Sequence, residues 1–302
     1  MPSPAPIDLS SLPPSVAVPP WLRRPGPQFI ENPRFLSGAA LVLLDRIARG
    51  DHTLSRLWRQ RLALKAAVHA MRYKQRTEDE TALRDAFYFR KVNDDPGPAG
   101  NNLMAWRSLG THDALSERSL WSDVLQHRLE LPKWADITPI SHPPTSAGPR
   151  GHFAGAMSEI IAILPPHQPF AAIWLSDMLL AASFNWTAPV PLLAGHIRHG
   201  DLKASASLPD IVSRAYTAAA LEAVDLFNEI KRAALTLAAA ASSLRSKAAI
   251  PTIKLLLCED AVRPADGKAA SARANRRIFE RLHELGAVRE LTGRPTFRLY
   301  GI

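Results

Sequence analysis

The sequence predicts a mainly α fold, a multi-helix bundle with a small C-terminal winged-helix-like α+β module. Three observations predict it. Apolar residues recur three and four apart through most of the chain, which is the period of a one-sided helix. Alanine runs are frequent and aromatic residues make up only 7% of the chain, a balance that favours helix over sheet. The clearest two-residue alternation lies near the C-terminus, so any sheet is small and late.

The elements follow in order. Residues 1–28 are proline-rich and read as a disordered tail, too poor in apolar surface to offset the entropy of ordering. An N-terminal helical domain covers 29–130. Leu36, Ala40, Leu43, Leu44 and Ile47 line one helix that stops at Gly50, and a second runs from Thr53 to Gln75 with Leu57, Leu64, Ala67, Val68 and Met71 on its apolar face. Thr77 and Glu80 have capping-box spacing for a third. "NDDPGPAG" is a turn before a helix through Trp106, and a weaker helix covers 116–129. Residues 131–150 form a Pro-rich linker, the best internal boundary. A helical bundle at 151–249 holds helices near 153–164 and 170–183 and one long Ala-rich helix over 210–246. Its seam runs Val212, Tyr216, Ala219, Ala223, Leu226, Ile230, Ala233, Leu237, Ala241 and Leu244. A bundle core is the principal use of such a seam, and a homo-oligomer through it is the other.

Residues 250–302 form the winged-helix-like module. Pro251 sits in the first turn of one helix. Ser271 is placed to cap the next, whose apolar stripe is Ala274, Ile278, Leu282 and Leu285, and Gly286 suits its C-terminus. "AVRELT" and "TFRLY" read as two strands joined at Gly293-Arg294-Pro295, with Phe297 and Leu299 on one face. The connection "RPADGKAA" leaves room for one helical turn between the two helices.

The totals bound the chemistry. With 302 residues, 46% hydrophobic and 22% charged, the chain has the composition of an ordinary globular protein and length for roughly two domains. A net charge of +9 favours polyanionic partners. One cysteine, Cys258, excludes an internal disulfide and any multi-thiolate zinc site, and fits a reducing cytoplasm. The start lacks the pattern of a signal peptide, and prolines break the apolar stretches between Ile160 and Ile197, so no membrane span is expected.

Candidate function concentrates in the tail. From Arg263 to Ile302 there are nine Lys or Arg against four Asp or Glu, an excess of +5 that drops to +3 when Glu259 and Asp260 are included. In a winged helix the second helix enters the major groove and the hairpin follows the backbone. Double-stranded DNA is then the expected partner. Arg273, Asn275, Arg276 and Arg277 would face the groove, and Arg281, Arg289, Arg294 and Arg298 would contact phosphates. A secondary basic stripe comprises Arg61, Lys65, Arg72 and Arg76, with internal ion pairing as its plainer use. The alternative to a DNA-binding accessory or regulatory protein is a helical interaction protein whose C-terminal module docks on a protein partner. Enzyme chemistry ranks third. Ser158 and Ser183 lack a nucleophile elbow, and no phosphate loop is present. Asp94 and Asp95 read as turn and cap, Glu222 and Glu229 as solvated carboxylates, and His196, His199 and Asp201 as loop residues rather than a metal site. No cofactor is expected.

Two stretches carry a family resemblance. "RQRLALKAAVHAMRYKQRTEDETALRDAFYFRKVNDDPGPAGNNLMAWRSL" and "FERLHELGAVRELTGRPTFRLYGI" resemble signature segments of an alphaproteobacterial, often plasmid-borne, domain-of-unknown-function family, number 1403, from about Pro33 onward. The resemblance implies bacterial origin and no assigned activity. The tail is also similar to the C-terminal winged helix of Fic-type proteins, the shared pattern falling on Leu282, Gly286, Thr292, Gly293, Arg294 and Tyr300. The Fic catalytic motif is absent, and "HQPF" at 167–170 lacks its proline and glycine loop, so no nucleotide transfer is implied.

Overall fold

A computed structural model describes residues 9–91, 94–116, 121, 123–129, 169–198, 200–201, 207–244, 249–267, 271–294 and 296–302. The linker at 131–150 and the helix at 153–164 lie outside the described residues. The mainly α expectation holds. Helices α1 (Pro20–Arg23), α2 (Pro27–Ile30), α3 (Pro33–Ala48), α4 (Ser55–Tyr73), α5 (Glu80–Tyr88), α6 (Gly97–Leu109) and α7 (Asp113–Ser116) precede α8 (Pro169–Phe184), α9 (Leu208–Ala241), α10 (Ala249–Cys258) and α11 (Ala272–Glu284). A single π-turn covers Asp123–Arg128. The only sheet among the described residues pairs β1 (Arg289–Glu290) with β2 (Tyr300–Gly301), antiparallel, with Arg289 opposite Gly301 and Glu290 opposite Tyr300.

The long helix α9 organises the body. Its 34 residues span about 50 Å at the usual helical rise. The seam from Val212 to Leu237 is largely buried, lying along α3 and also packing on α4 and α10, so its apolar face is used inside the chain. Phe227 and Trp58 meet edge to face, and the Trp58 indole donates to Ala223 O at 2.9 Å. Helix α8 is apolar nearly all round and buried accordingly. Its Asp177 is wholly enclosed, with Oδ2 accepting the amides of Leu192 and Leu193 at 2.8 and 3.2 Å. Among the described residues no helix is long and apolar enough to cross a membrane.

The local signals behave unevenly. Ser271 caps α11 by accepting from Ala274 N at 3.1 Å, and Gly286, at φ +67°, closes it, with the Ala287 and Gly286 amides donating to Leu282 O and His283 O. Asp95 caps its own turn by accepting from Gly97 N. At α5 the cap is Asp79, accepting from Ala82 N at 2.9 Å, rather than Thr77. Glu78 instead pairs with Arg76. Phe297 leaves the strand at φ +55° and is 73% exposed, whereas Leu299 is buried, so the two do not share a face.

The N-terminal segment is the largest correction. Residues 9–24, within the stretch expected to be a disordered tail, lie on α9 with Leu12, Val16 and Leu22 in the core. An extended proline-rich strand offers backbone groups with no internal partner. Asn228 supplies them: its side chain accepts from Val16 N at 3.1 Å and donates to Val16 O at 2.9 Å. Lys231 donates to Pro13 O, and Arg23 forks onto Asp225.

Candidate nucleic-acid interface

A buried carboxylate is central to the attachment of the C-terminal module to the body. Asp260 follows α10, and its side chain is only 2% exposed. Arg84 of α5, itself 5% exposed, donates to it through Nε at 2.7 Å and Nη2 at 3.1 Å. Arg61 of α4 lies against Oδ1 off the hydrogen-bond axis, and its Nη2 reaches Asp260 O at 3.3 Å and Ile302 O at 2.9 Å. Burial would push the Asp260 carboxyl up; the charges of Arg61 and Arg84 outweigh it and hold the group below the usual carboxylate range. Gln60 Oε1 accepts the Asp260 amide at 2.8 Å, and Val262 and Tyr300 exchange both backbone hydrogen bonds. In the sequence Asp260 stands out only as a negative charge next to the basic tail. Its one visible signal was an acidic pair, Glu259-Asp260, directly after an apolar helix.

On this frame α11 is two-sided. Ile278, Phe279 and Leu282 are buried, with Phe279 against Tyr300. A one-turn 3₁₀ segment, Pro264–Asp266, links it to α10 and packs on it. On the opposite face Arg273, Arg276 and Arg277 are exposed, and none has a hydrogen-bond or ion-pair partner among the described residues. All three occupy the first half of the helix, and Arg273 lies in its first turn, where the free amides already place positive potential.

The other candidates are placed differently. Asn275 is buried and donates to Gly267 O at 2.9 Å, so it does not face outward with its neighbours. Arg281 pairs with Glu284 one turn on. Arg289 meets Glu229 of α9 at 3.4 Å, with the two side chains 68% and 56% exposed. Arg294 pairs with Asp85 of α5, and Arg298 donates to Arg294 O at 2.9 Å. Exposed pairs of this kind are worth about 0–1 kcal/mol, so Arg281 and Arg289 remain exchangeable for a phosphate.

The secondary stripe is mostly spent inside the molecule. Arg61 serves Asp260, Lys65 pairs with Glu222 at 2.5 Å, and Arg76 pairs with Glu78. Arg72 is exposed without a carboxylate partner among the described residues. Glu222 also accepts His196 Nε2 at 3.0 Å; His196 and Lys65 together hold its carboxyl down at about 2. Asp201 accepts from Arg198 N, and His199 lies outside the described residues. No cluster fit to hold a metal exists among the described residues.

Comparison with known proteins adds one finding. A family model described as "Protein of unknown function (DUF1403)" matches residues 8–302, and the chain belongs to that family. Neither a curated protein nor a solved structure matches it.

Proposed function

We propose that this member of the family is a DNA-binding accessory or regulatory protein that reads duplex DNA through a winged-helix-like C-terminal module. The supporting observation is the trio Arg273, Arg276 and Arg277, exposed and unpartnered among the described residues in the first half of a 13-residue helix. Three like charges gathered on one face repel one another, and Arg273 in the first turn also opposes the helix dipole, which costs the isolated fold stability. An anion in front of them turns that cost into attraction. Arg281 and Arg289 are within the same module to join the contact, while Asp260 holds the module rigid enough to present one surface.

The test is fluorescence anisotropy of a labelled duplex titrated with protein over a series of KCl concentrations. Each phosphate neutralised contributes about 0.9 to the slope of log K against log salt, so replacing all three arginines by Gln lowers the slope by about 2.7. Loss of affinity with an unchanged slope, or no salt-dependent binding by the parent protein, refutes the reading. One observation favours the second reading, docking on a protein: Phe297, of a residue type enriched at interfaces, stands open in the hairpin loop with its described aromatic contact an edge-to-face one to Phe89. Under that reading Phe297→Ser abolishes partner capture and leaves any DNA affinity intact.

A further inference from the structure

Away from α11, the first turns of α4, the end of α5, the last turns of α6 and Thr187-Ala188 line an open pocket of about 550 Å³, within the size range of small-molecule sites. Four guanidinium groups line it: Arg56, Arg59, Arg90 and Arg107. Arg59 is the unusual one. It is 4% exposed, and no carboxylate pairs with it among the described residues. Its Nη2 donates to Ala48 O at 2.9 Å, with longer contacts to Ala188 O at 3.4 Å and Thr187 Oγ1 at 3.5 Å, while its buried Nε–H has no acceptor. A buried charge ordinarily comes with a counter-charge, since desolvation is otherwise uncompensated.

Its neighbours repeat the pattern. Arg90 and Arg107 both stack on the Phe87 ring, at 4.9 and 4.4 Å from its centroid, which holds two like charges at one wall. Among the described residues Arg90 donates to the Met104 sulfur alone, a weak acceptor, at 2.7 Å. Arg107 and Arg56 share a single carboxylate, Glu259, at 3.1 and 2.5 Å. Among the described residues, the acid that lines the pocket itself is Asp51. Four guanidinium charges against these two carboxylates leave an excess of two positive charges.

We propose that this pocket binds the dianionic phosphate group of a small organic phosphate ester, with Arg59 and Arg90 as its principal ligands and Phe87 and Met104 against the organic part. Two uncompensated charges match a dianion, and planar guanidinium groups suit its oxygens. The site is separate from the α11 face.

The experiment is calorimetric titration of the full chain with inorganic phosphate and with phenyl phosphate, at constant ionic strength and pH ~7.5. One saturable site is expected, with phenyl phosphate the tighter probe. Arg59→Met and Arg90→Met each weaken it by about tenfold or more, the usual loss for a charge-assisted contact. Affinity also falls severalfold at pH ~5.5, because the second phosphate ionisation lies near pH ~6. Should Arg59→Met fail to fold, the half-buried Arg90 carries the test. No saturable heat with either probe up to ~10 mM overturns the proposal. So does unchanged affinity in Arg90→Met, or loss of phosphate binding in Arg273→Gln with Arg277→Gln, which moves the anion to α11.

Discussion

Replacing Asp260 by Ala tests how the C-terminal module is held. The substitution leaves Arg84 and Arg61 facing a site from which their shared carboxylate has gone, and Arg84 is buried too deeply to regain water. Among the described residues only Glu80, across one helical turn at 3.2 Å, remains as an ion-pair partner for Arg84. Breaking a buried ion pair from one side typically costs about 3–5 kcal/mol. Against a total stability of about 5–15 kcal/mol that is a large fraction. The contrast within the same module is Arg289→Ala, which removes a mostly exposed pair with Glu229 and costs about 0–1 kcal/mol. Urea unfolding followed by circular dichroism measures both: Asp260→Ala lowers the midpoint strongly with little change in slope, and Arg289→Ala barely moves it. Acid adds a second readout. The folded-state carboxyl of Asp260 is held below its unfolded value, so its contribution is present above about pH 4 and is lost as pH falls through the folded-state value. A loss under about 1 kcal/mol in Asp260→Ala would falsify the view that burial makes this pair the anchor.

Three further outcomes are expected. Burial pushes the Asp177 carboxyl up to about 8, so the folded protein keeps a proton that the unfolded chain releases above about pH 4. Its contribution is therefore complete in acid and declines by about 1.4 kcal/mol per pH unit up to pH ~8; Asp177→Asn flattens the melting-temperature profile over that window, and an unaltered profile refutes the assignment. A Cβ at Gly301 would sit 2.7 Å from Asp260 O and 2.9 Å from Arg61 Nη2, so Gly301→Ala destabilises by about 1–3 kcal/mol in the same urea assay. Asn228→Ala leaves the Val16 amide and carbonyl without their partner, and hydrogen exchange at Val16 accelerates while the α4 core amides keep their protection.

Much of the local architecture was legible in the chain. Ser271 and Gly286 mark the ends of α11 because a cap and a left-handed terminus depend on the residue itself and its nearest neighbours. The seam of α9 and the buried stripe of α11 follow from helical period alone. The largest failed reading turned on a distant partner. The proline-rich start looked unable to order itself, and by itself it has no partner for Val16; Asn228, 212 residues away, provides one. Phe297 alternates correctly with Leu299 on paper, but the hairpin is paired over only two residues per strand and the backbone has already turned at that position.

The same division separates the arginines. Sequence by itself determined that this chain is helical, basic, and ends in a helix and hairpin rich in guanidinium groups, since composition and short-range spacing decide those properties. Which of those groups remain available was decided only by the tertiary structure. Arg294 meets an aspartate 209 positions earlier, Arg61 reaches the backbone of Asp260 across 199, and Arg273, Arg276, Arg277 and Arg59 meet no carboxylate among the described residues. Charge pairing falls off with distance in space, and residues far apart along the chain become neighbours only once the helices have packed.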